Sequence, residues 1–539
     1  MDEVGRIEPL AAAERAALAP FFTNLDGPVF ALRNLPEVVK GALFARYSRS
    51  AKSLRRLFLE EFLDHLEPAA AQETDVGVER AEKLYQRVFD EYGDDSVAQL
   101  GGAHIACEGV SNILTKVLEW GRLMAYLEQS TRYVAYDRPV NGRWRYVVPP
   151  ELAEHPLRTR YERTLNSLFE TYAQWLPKVE QHLRERFPPL PEEPEGAYRR
   201  AVRAKALDVL RGLLPAATQA NVGMYGSGQA FEALLLRLRA HPLAEARLCA
   251  DRMLAELRKV IPAFLQRVDR PDRGVRWSQY LREVQEATAA QAAHLLQGIR
   301  AESRPEVTLT DFDPEGELKV VAAALYAVSV LPDDQLLAHV RRMPHSERLR
   351  VLRAYVGERS NRRHKPGRAF ERTSYRFDIL ADYGAFRDLQ RHRMLTIEWQ
   401  PLSPAHGYEV PAELGALGAE GMWHAAMERA AELYHELERA GLGLVAPYAL
   451  CLAFRVRFYL QMNAREAMHV LELRTGPQGH PAYRRVCQEM HRLIAEQAGH
   501  RAIAEAMCFV DHRPVTLERR EAERNREARR AARERDGMD

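Results

Sequence analysis

The sequence has few cysteines, and none of them are closely paired. Five occur among 539 residues: Cys107, Cys249, Cys451, Cys487 and Cys508. An odd number of scattered cysteines without a Cys-x-x-Cys pair argues against a disulfide framework or a zinc ribbon. This usage is typical of a reducing compartment, so we expect a cytoplasmic protein.

Long apolar runs and an excess of one charge are also missing. No run of about 18 apolar residues occurs, which predicts that no transmembrane helix is present. The first residues, MDEVGRIEPLAAAERAAL, are acidic and amphipathic, unlike a signal peptide. The chain has 77 Lys and Arg against 75 Asp and Glu, a net charge of +2. Its overall field therefore favours neither nucleic acid nor a membrane as a partner.

What the sequence does contain is mainly helical pattern. Residues 201–214, 229–239 and 243–269 have apolar positions at helical spacing and are rich in helix-forming residues. Strand-like segments are few and short, at Tyr146–Val148 and Tyr375–Ile379. We therefore predict a mostly helical α+β protein.

Proline- and glycine-rich breaks divide the chain at residues 188–194, 268–274 and 304–314. The second and third breaks flank the midpoint, so we predict two domains, 1–275 and 276–539. Residues 518–539 form a charged tail, which we expect to be a solvated helix or a disordered end. Residues 1–90 and 276–360 carry no motif that we can interpret.

The two halves have the same order of features. Residues 109–122 and 381–393 are predicted amphipathic helices that end in arginine. Farther along, residues 233–253 and 470–490 each have a basic helix end, a His-Pro turn, and then Arg, Cys and Met in order. We interpret this as a diverged tandem duplication.

Two polar segments differ from the helical background. Glu128-Gln129-Ser130-Thr131-Arg132-Tyr133 combines a carboxylate, an amide, a hydroxyl and a guanidinium, which together suit a phosphate. Arg391-His392-Arg393 combines two guanidiniums with an imidazole, which suits an anion. The alternative is that both segments are solvated helix ends with surface ion pairs.

Together these segments resemble flavin-dependent thymidylate synthases, which carry RHR, a short spacer and an EQSxRY-type run. The first half has Trp120-Gly121-Arg122 before its EQSTRY run, so only the last arginine of RHR remains. The second half keeps RHR but has WQPLS at 399–403 in place of EQSxRY. Neither half holds the complete motif.

Other family features are divided in the same way. The family's arginine four residues before Pro is Arg211, ahead of Leu214-Pro215, in the first half. The family's NxR segment, with its helix ending in Leu-Arg, is Asn463-Ala464-Arg465 through Arg474 in the second half. A Phe-Glu pair that precedes RHR in the family corresponds to Phe370-Glu371.

The resemblance implies a reaction in which dUMP is methylated with FAD, NADPH and methylenetetrahydrofolate. It assigns catalysis to Arg474 and Ser130, with Arg474 beside the pyrimidine. It assigns dUMP binding to Glu128, Gln129, Ser130, Arg132, Arg211 and Arg474. It assigns FAD binding to Arg391, His392, Arg393, Asn463, Arg465 and Glu371. The site would then be a composite of both halves.

The resemblance also implies two tandem repeats, each a small sheet packed with long helices. Since the family is homotetrameric, two such chains would form a homodimer that mimics the tetramer. Two alternatives stay open: a catalytically degenerate homologue that binds a nucleotide or a flavin, and a purely structural helical protein. No metal site is predicted, because His480, His491 and His500 lack ligand spacing and no HExxH motif occurs.

Overall fold

The computed structural model describes residues 9–27, 30–47, 50, 52–63 and 99–535. These residues form a mostly helical α+β protein with two small antiparallel sheets, which confirms the predicted fold class. No helix in the described part of the chain combines the length and the apolar composition that crossing a bilayer requires.

The helices and strands of the described residues follow in chain order. The helices of the first part are α1 Ala12–Leu18, α2 Glu37–Tyr47, α3 Leu54–Glu61, α4 Asn112–Leu118, α5 Arg158–Arg186, α6 Glu195–Leu210, α7 Gly228–Ala240, α8 Ala244–Leu257 and α9 Arg276–Leu295. Those of the second part are α10 Gly316–Tyr326, α11 Asp333–Arg342, α12 His345–Val356, α13 Tyr383–Leu389, α14 Ala412–Ala416, α15 Glu420–Arg439, α16 Ala464–Arg474, α17 Pro481–Glu496, α18 Arg501–Ala506 and α19 Arg520–Arg535. The strands are β1 Gly102–Ser111, β2 Met124–Glu128, β3 Gln219–Ser227, β4 Val307–Phe312, β5 Ser374–Asp382, β6 Thr396–Trp399 and β7 Arg455–Asn463.

The chain divides into two compact units. One contains the described residues of 1–108, 121–128 and 221–298, and the other contains 109–120, 129–220 and the described residues of 299–539. A three-stranded sheet has the order β1-β3-β2, and a four-stranded sheet has the order β4-β5-β7-β6. A sequence repeat and a compact unit are different divisions, so the repeat boundary at 275/276 stays a prediction.

The order of elements repeats along the chain. In each half a strand leads into a short helix and a second strand, then a long helix, and finally a third strand followed by two helices. The first half is β1-α4-β2, α5, β3-α7-α8, with α6 added before β3, and the second is β5-α13-β6, α15, β7-α16-α17, with α14 added before α15. Four of these strands end in a residue whose side chain accepts a hydrogen bond from the first turn of the next helix, and these caps are Ser111, Ser227, Asp382 and Asn463. Both repeats therefore begin their helices with the same device.

Several predicted helices are shorter than the sequence pattern indicated. The segment 109–122 is helical only over α4, because its first residues complete β1. Likewise, 381–393 is helical only over α13. The pattern over 243–269 breaks after α8 and resumes as a 3-10 helix at Pro262–Asp269. Apolar spacing continues through these turns, so spacing alone places the ends of helices wrongly.

Two predictions about strands and linkers were wrong, and one was right. The predicted strand Tyr146–Val148 is extended chain in which only Tyr146 forms an isolated bridge, with Thr218. The predicted break at 304–314 contains β4, which pairs with β5 at the edge of a sheet. Tyr375–Ile379 does lie in a strand, β5. A short edge strand with few apolar residues resembles a loop in sequence.

The charged tail is helical through Arg535, and it is anchored at its start. Glu518 and Arg519 are buried, and the Glu518 carboxylate accepts a hydrogen bond from Lys205 Nζ at 2.7 Å. On α19, Glu523 and Glu527 both pair with Arg200 of α6. The tail was expected to be a solvated helix or a disordered end; from Arg520 it is a mostly exposed helix, and ion pairs hold one side of it against α6.

Backbone pairing joins the segment after Arg211 to the matching segment of the second repeat. Ala216 N donates to Leu450 O at 2.7 Å, and Leu452 N donates to Leu214 O at 2.9 Å. Gly212 is required at this contact, because a Cβ there would lie 2.7 Å from the Trp423 ring. The pairing fixes Arg211 at a position where elements of both repeats meet.

Candidate functional site

Arg132, from the EQSTRY run, is buried in a dense set of hydrogen bonds. Its Nε and Nη2 donate to the two carboxylate oxygens of Asp208 on α6, at 2.7 and 2.6 Å. Its Nη1 donates to the Tyr483 hydroxyl at 2.8 Å, and Nη2 also donates to Gln478 O at 3.1 Å. Arg132 and Asp208 come from the first predicted repeat and Tyr483 from the second, so this guanidinium links the two.

Arg211 is the second buried guanidinium. It lies in the 3-10 turn Arg211–Leu213 that ends α6, where the backbone pairing described above holds it. Its Nη1 donates to Asp388 Oδ2 at 3.1 Å, and its Nη2 lies 3.8 Å from Asp382 Oδ1. Both carboxylates belong to the second repeat, at the start and the end of the β5-α13 connection.

Asp208 and Asp388 are kept ionised by the arginines, whereas burial outweighs Arg211 at Asp382 and raises its pKa to about 6. Burial alone would raise the pKa of Asp208, but the charge of Arg132 outweighs it and lowers the pKa to about 2. Burial likewise opposes ionisation of Asp388, and its pKa is nevertheless lowered by Arg211, Arg391, Arg474 and Arg132. Four guanidiniums thus act on this one carboxylate, which makes the region around Asp388 rich in positive charge.

Arg474 ends α16 beside His392. Its Nε donates to His392 Nε2 at 2.8 Å, and its guanidinium lies 5.4 Å from the centre of the Tyr483 ring. Arg132 lies 5.7 Å from the centre of the same ring. Tyr483 therefore connects the arginine of the EQSTRY run with the arginine of the Leu-Arg helix end.

His392 is surrounded by groups that can titrate. Burial lowers its pKa well below the usual value, and Arg474 lowers it further, so the imidazole is neutral. Burial also lowers the pKa of His469, to about 4, and raises that of Glu466 to about 7. His392 Nδ1 lies 3.8 Å from Glu466 Oε1.

His392, Glu466 and His469 form the only group in the described residues whose ligand atoms lie close enough to hold a metal ion, within 4.8 Å of one another. The sequence analysis did not identify this group. A metal on His392 Nδ1 would require the ring proton on Nε2. That nitrogen already accepts a hydrogen bond from Arg474, which can only donate. The geometry therefore favours a hydrogen-bonded histidine over a metal ligand.

The remaining predicted flavin-binding residues lie on more exposed surface. Asn463 caps α16, with its Oδ1 accepting from Glu466 N at 2.9 Å. Arg465 donates to Pro366 O at 3.0 Å, and its Nη1 lies 3.7 Å from Glu371. Arg391 is half-buried and Arg393 is exposed. These residues are half-exposed or exposed, unlike the buried Arg132 and Tyr483, and Arg474 is half-buried between the two sets.

The first residues of the EQSTRY run are placed differently from Arg132. Gln129 and Ser130 are half-buried, and Ser130 Oγ accepts a hydrogen bond from Arg132 N at 3.2 Å. Glu128 is buried at the end of β2, opposite Val222 of β3, and belongs to the other compact unit. Ser130 thus shapes the turn that presents Arg132.

A cavity of about 340 Å³ adjoins this cluster. Asp208, Arg211 and His480 line one part of it, and Lys205 and Glu413 line another. Lys205 is buried, and its Nζ lies 2.6 Å from Glu413 Oε1. Lys205 and Glu518 both line the cavity. The buried aspartate and arginine of the nucleotide side are therefore next to open volume.

Sequence reasoning missed Asp208, Asp388, Tyr483 and Glu466. One signal was available for two of them: Asp208 and Asp388 each precede a predicted site arginine by three residues, Arg211 and Arg391. Opposite charges at that spacing lie on one side of a helix. Tyr483 and Glu466 had no such signal.

Comparison with known proteins gives the family context. Residues 42–263 and 308–499 match the model of the thymidylate synthase complementing protein family, more than half of the chain in two segments. A UPF0159 protein of Chlamydia pneumoniae is 41% identical over 499 residues, covering 92% of this chain and 94% of the relative.

Two matches cover part of the chain. A flavin-dependent thymidylate synthase of Clostridium tetani is 26% identical over 191 residues, which is 35% of this chain and 70% of that enzyme. The crystal structure of a UMP/dUMP methylase from Streptomyces cacaoi, bound with 5-Br dUMP, covers 37% of this chain and 94% of the methylase. Its sequence identity is 21% and its TM-score is 0.30. The family assignment depends on the family model and the full-length relative.

Proposed function

Since the chain belongs to the thymidylate synthase complementing protein family, we propose that it methylates dUMP with methylenetetrahydrofolate and NADPH, using FAD. One composite site holds the nucleotide with first-repeat residues and the flavin with second-repeat residues. The observation that carries this proposal is the buried network in which Arg132 and Arg211 of the first repeat meet Arg474 and His392 of the second.

The nucleotide side is suited to a phosphate dianion. Arg132, Arg211, Arg391 and Arg474 all lower the pKa of Asp388, so four guanidiniums act on this one carboxylate. Guanidinium forks bind phosphate strongly because their hydrogen bonds are charge-assisted and bidentate. We assign phosphate binding to Arg132 and Arg211, with Gln129 and Ser130 at the turn. Glu128 is retained in the proposal from the family resemblance.

Arg474 is suited to a pyrimidine that becomes negatively charged. Its Nε is bonded to a neutral imidazole, so that contact leaves its positive charge uncompensated. A fixed positive charge in a partly dry site stabilises an anion that develops during reaction. We therefore assign Arg474 the role of stabilising the ionised pyrimidine.

The second-repeat residues fit a flavin dinucleotide at the level of donor chemistry. Arg391, Arg393 and Arg465 carry guanidiniums that suit a pyrophosphate, and these residues are half-exposed or exposed. His392, Asn463 and Glu371 add hydrogen-bonding groups nearby. When bound, FAD supplies the hydride chemistry that reduces the transferred one-carbon group.

A binding and turnover experiment tests the proposal. We expect Arg132→Ala to weaken dUMP binding by about one to two orders of magnitude in calorimetry, at about 1.4 kcal/mol per tenfold. FAD binding should be unchanged. The matched control is Arg239→Ala, which removes a half-buried arginine paired with the exposed Asp251 and Asp269. Formation of dTMP from dUMP, FAD, NADPH and methylenetetrahydrofolate by the wild type completes the test, and a protein that binds neither dUMP nor FAD contradicts it.

A second candidate function is a degenerate binder with a regulatory or structural role. One observation favours it: Asp208 occupies the guanidinium fork of Arg132, and Asp388 binds Arg211. Internal carboxylates thus satisfy both nucleotide-side arginines. A wild type that binds FAD and dUMP but forms no dTMP would identify this function.

The assembly that we propose is a homodimer of two-repeat chains that mimics the family's tetramer. Multi-angle light scattering at micromolar concentration should give a mass of twice the 61.5 kDa chain. A monomer, or an assembly of four chains, would contradict it.

A further inference from the structure

His392 contacts Glu466 through one ring nitrogen and Arg474 through the other. Glu466, in the first turn of α16, places Oε1 3.8 Å from His392 Nδ1. The other ring nitrogen, Nε2, accepts from Arg474 Nε at 2.8 Å. His392 is 6% exposed, so water does not compete freely for its two nitrogens.

The hydrogen bond from Arg474 can form with only one protonation state of this ring. A guanidinium nitrogen can only donate, so His392 Nε2 must be the bare, accepting nitrogen. The neutral ring then carries its proton on Nδ1, the nitrogen that faces Glu466. The other neutral tautomer and the imidazolium would both set an N–H against the N–H of Arg474.

We propose that Glu466 is a positioning residue, whose carboxylate selects the Nδ1–H tautomer of His392 and thereby holds Arg474 in place against the Tyr483 ring. Its effect on turnover rests on the proposed function, but the tautomer itself does not. At 3.8 Å the carboxylate is beyond hydrogen-bond distance from Nδ1, so it acts on the ring through its charge, which favours a proton on the facing nitrogen.

The surroundings of Glu466 agree with this role. Asn463 Oδ1 caps α16 by accepting a hydrogen bond from Glu466 N, which fixes the backbone of Glu466. Burial raises the pKa of Glu466 to about 7, while Lys365 and Arg465 oppose that rise. After burial, the largest effects on the pKa of His392 come from Arg474, His469 and Lys365, which lower it, and then from Asp388, which raises it. The carboxylate is therefore mostly ionised, and able to attract the Nδ1 proton, only above about pH 7.

Nitrogen-15 spectra of ring-labelled histidine test the tautomer directly in the full chain. Resonances of His392 are assigned by their loss in His392→Gln. At pH 8 the wild type should show a protonated Nδ1 and a bare Nε2, and Glu466→Ala should give a mixture of tautomers. Lowering the pH of the wild type to 6 should shift it toward the mixture. A protonated Nε2 in the wild type, or an Nδ1–H tautomer unchanged in Glu466→Ala, would overturn the proposal.

A double-variant experiment tests the consequence for Arg474. In the wild-type background we expect Glu466→Ala to lower kcat about tenfold with little change in the KM for dUMP, as for a loss confined to the transition state. In a His392→Gln background the amide oxygen accepts the hydrogen bond from Arg474, and the amide has no tautomer for Glu466 to select. Glu466→Ala should therefore change kcat less than about twofold in this background. Glu496→Ala, an exposed carboxylate on α17, is the control.

An equal loss in both backgrounds would show that Glu466 acts by another route. If the wild type does not turn over at all, the proposed function fails and the nitrogen-15 spectra still decide the tautomer. The two failures are therefore distinguishable.

Discussion

The helix that follows the third strand ends differently in the two repeats. On α7 of the first repeat, Arg239 is paired with Asp251 and Asp269, whose side chains are 61% and 43% exposed. On α16 of the second repeat, Arg474 contacts the buried His392. The position of His392 in RHR is Gly121 in the first half.

This difference lies in what holds an arginine at the end of the same helix in each repeat. In the first repeat Arg239 pairs with exposed carboxylates, and such ion pairs contribute little to stability. In the same last turn, burial lowers the pKa of Arg237. In the second repeat the same helix end is held by a histidine, a tyrosine and, through Tyr483, the first-repeat Arg132. Each experiment below compares a buried residue with an exposed one, or a residue of one repeat with its equivalent in the other.

The largest effect is expected where a buried arginine loses its partner. Asp208→Ala leaves Arg132 buried without its carboxylate, which should lower the free energy of unfolding by about 3–5 kcal/mol. Asp251→Ala removes the exposed partner of Arg239 and should cost less than about 1 kcal/mol. Urea unfolding measures both. Equal losses would show that the buried cluster is no more important to stability than the surface pair.

The next effect depends on pH and on Glu466. Its pKa is raised by burial from 4.5 to about 7, so the folded state resists ionisation of this carboxyl. The stability that the neutral form contributes is complete below about pH 4.5 and is lost as the pH rises through 7. Relative to Glu466→Gln, the wild type should lose about 3 kcal/mol over that range, at about 1.36 kcal/mol per unit.

Unfolding midpoints of the wild type and Glu466→Gln at several pH values measure this difference. Glu523→Gln, on the charged α19, is the control for removing a carboxylate elsewhere in the chain. A constant difference between the wild type and Glu466→Gln from pH 4.5 to 8 would contradict the shifted pKa.

A smaller effect, equal in the two repeats, is expected at the helix caps. Ser227 and Asn463 end equivalent strands, and each accepts a hydrogen bond from the first turn of its helix. Ser227→Ala and Asn463→Ala should each lower the free energy of unfolding by about 1 kcal/mol. A loss at only one of them would show that the repeats do not share this device.

The smallest effect concerns Cys249 and Cys487, which lie at equivalent places in the two repeats. Cys249 Sγ lies 4.0 Å from Cys107 Sγ, whereas Cys487 is fully buried and burial raises its pKa to about 12. Dilute hydrogen peroxide should oxidise the two thiols to a Cys107–Cys249 disulfide, and the peroxide is reduced to two waters. A modest rotation must first bring the sulfurs to about 2.05 Å.

Non-reducing peptide mapping detects the linked peptides, and Cys107→Ser should abolish them. Cys487 should remain a thiol throughout. Oxidation of Cys487 before any Cys107–Cys249 link would contradict the burial on which this contrast depends.

The sequence was sufficient for the family, the fold class and the division of motifs, because these depend on residues that are close together in the chain. It could not provide the partners of Arg132, which lie 76 and 351 positions away. Nor could it distinguish β4 from a linker, since pairing with β5 makes it a strand. The roles assigned to the predicted site residues stay predictions, because a family motif specifies residue types and leaves their contacts open.

The contact between Arg132 and Tyr483 has a consequence for the behaviour of the protein on dilution. Residues on separate subunits lose contact when the protein concentration falls below the dissociation constant of the subunits. Here one polypeptide carries both residues, so each experiences the other at a fixed effective concentration, which for tethered groups is commonly in the millimolar range. This network therefore forms equally well in a cell that contains only a few copies of the chain.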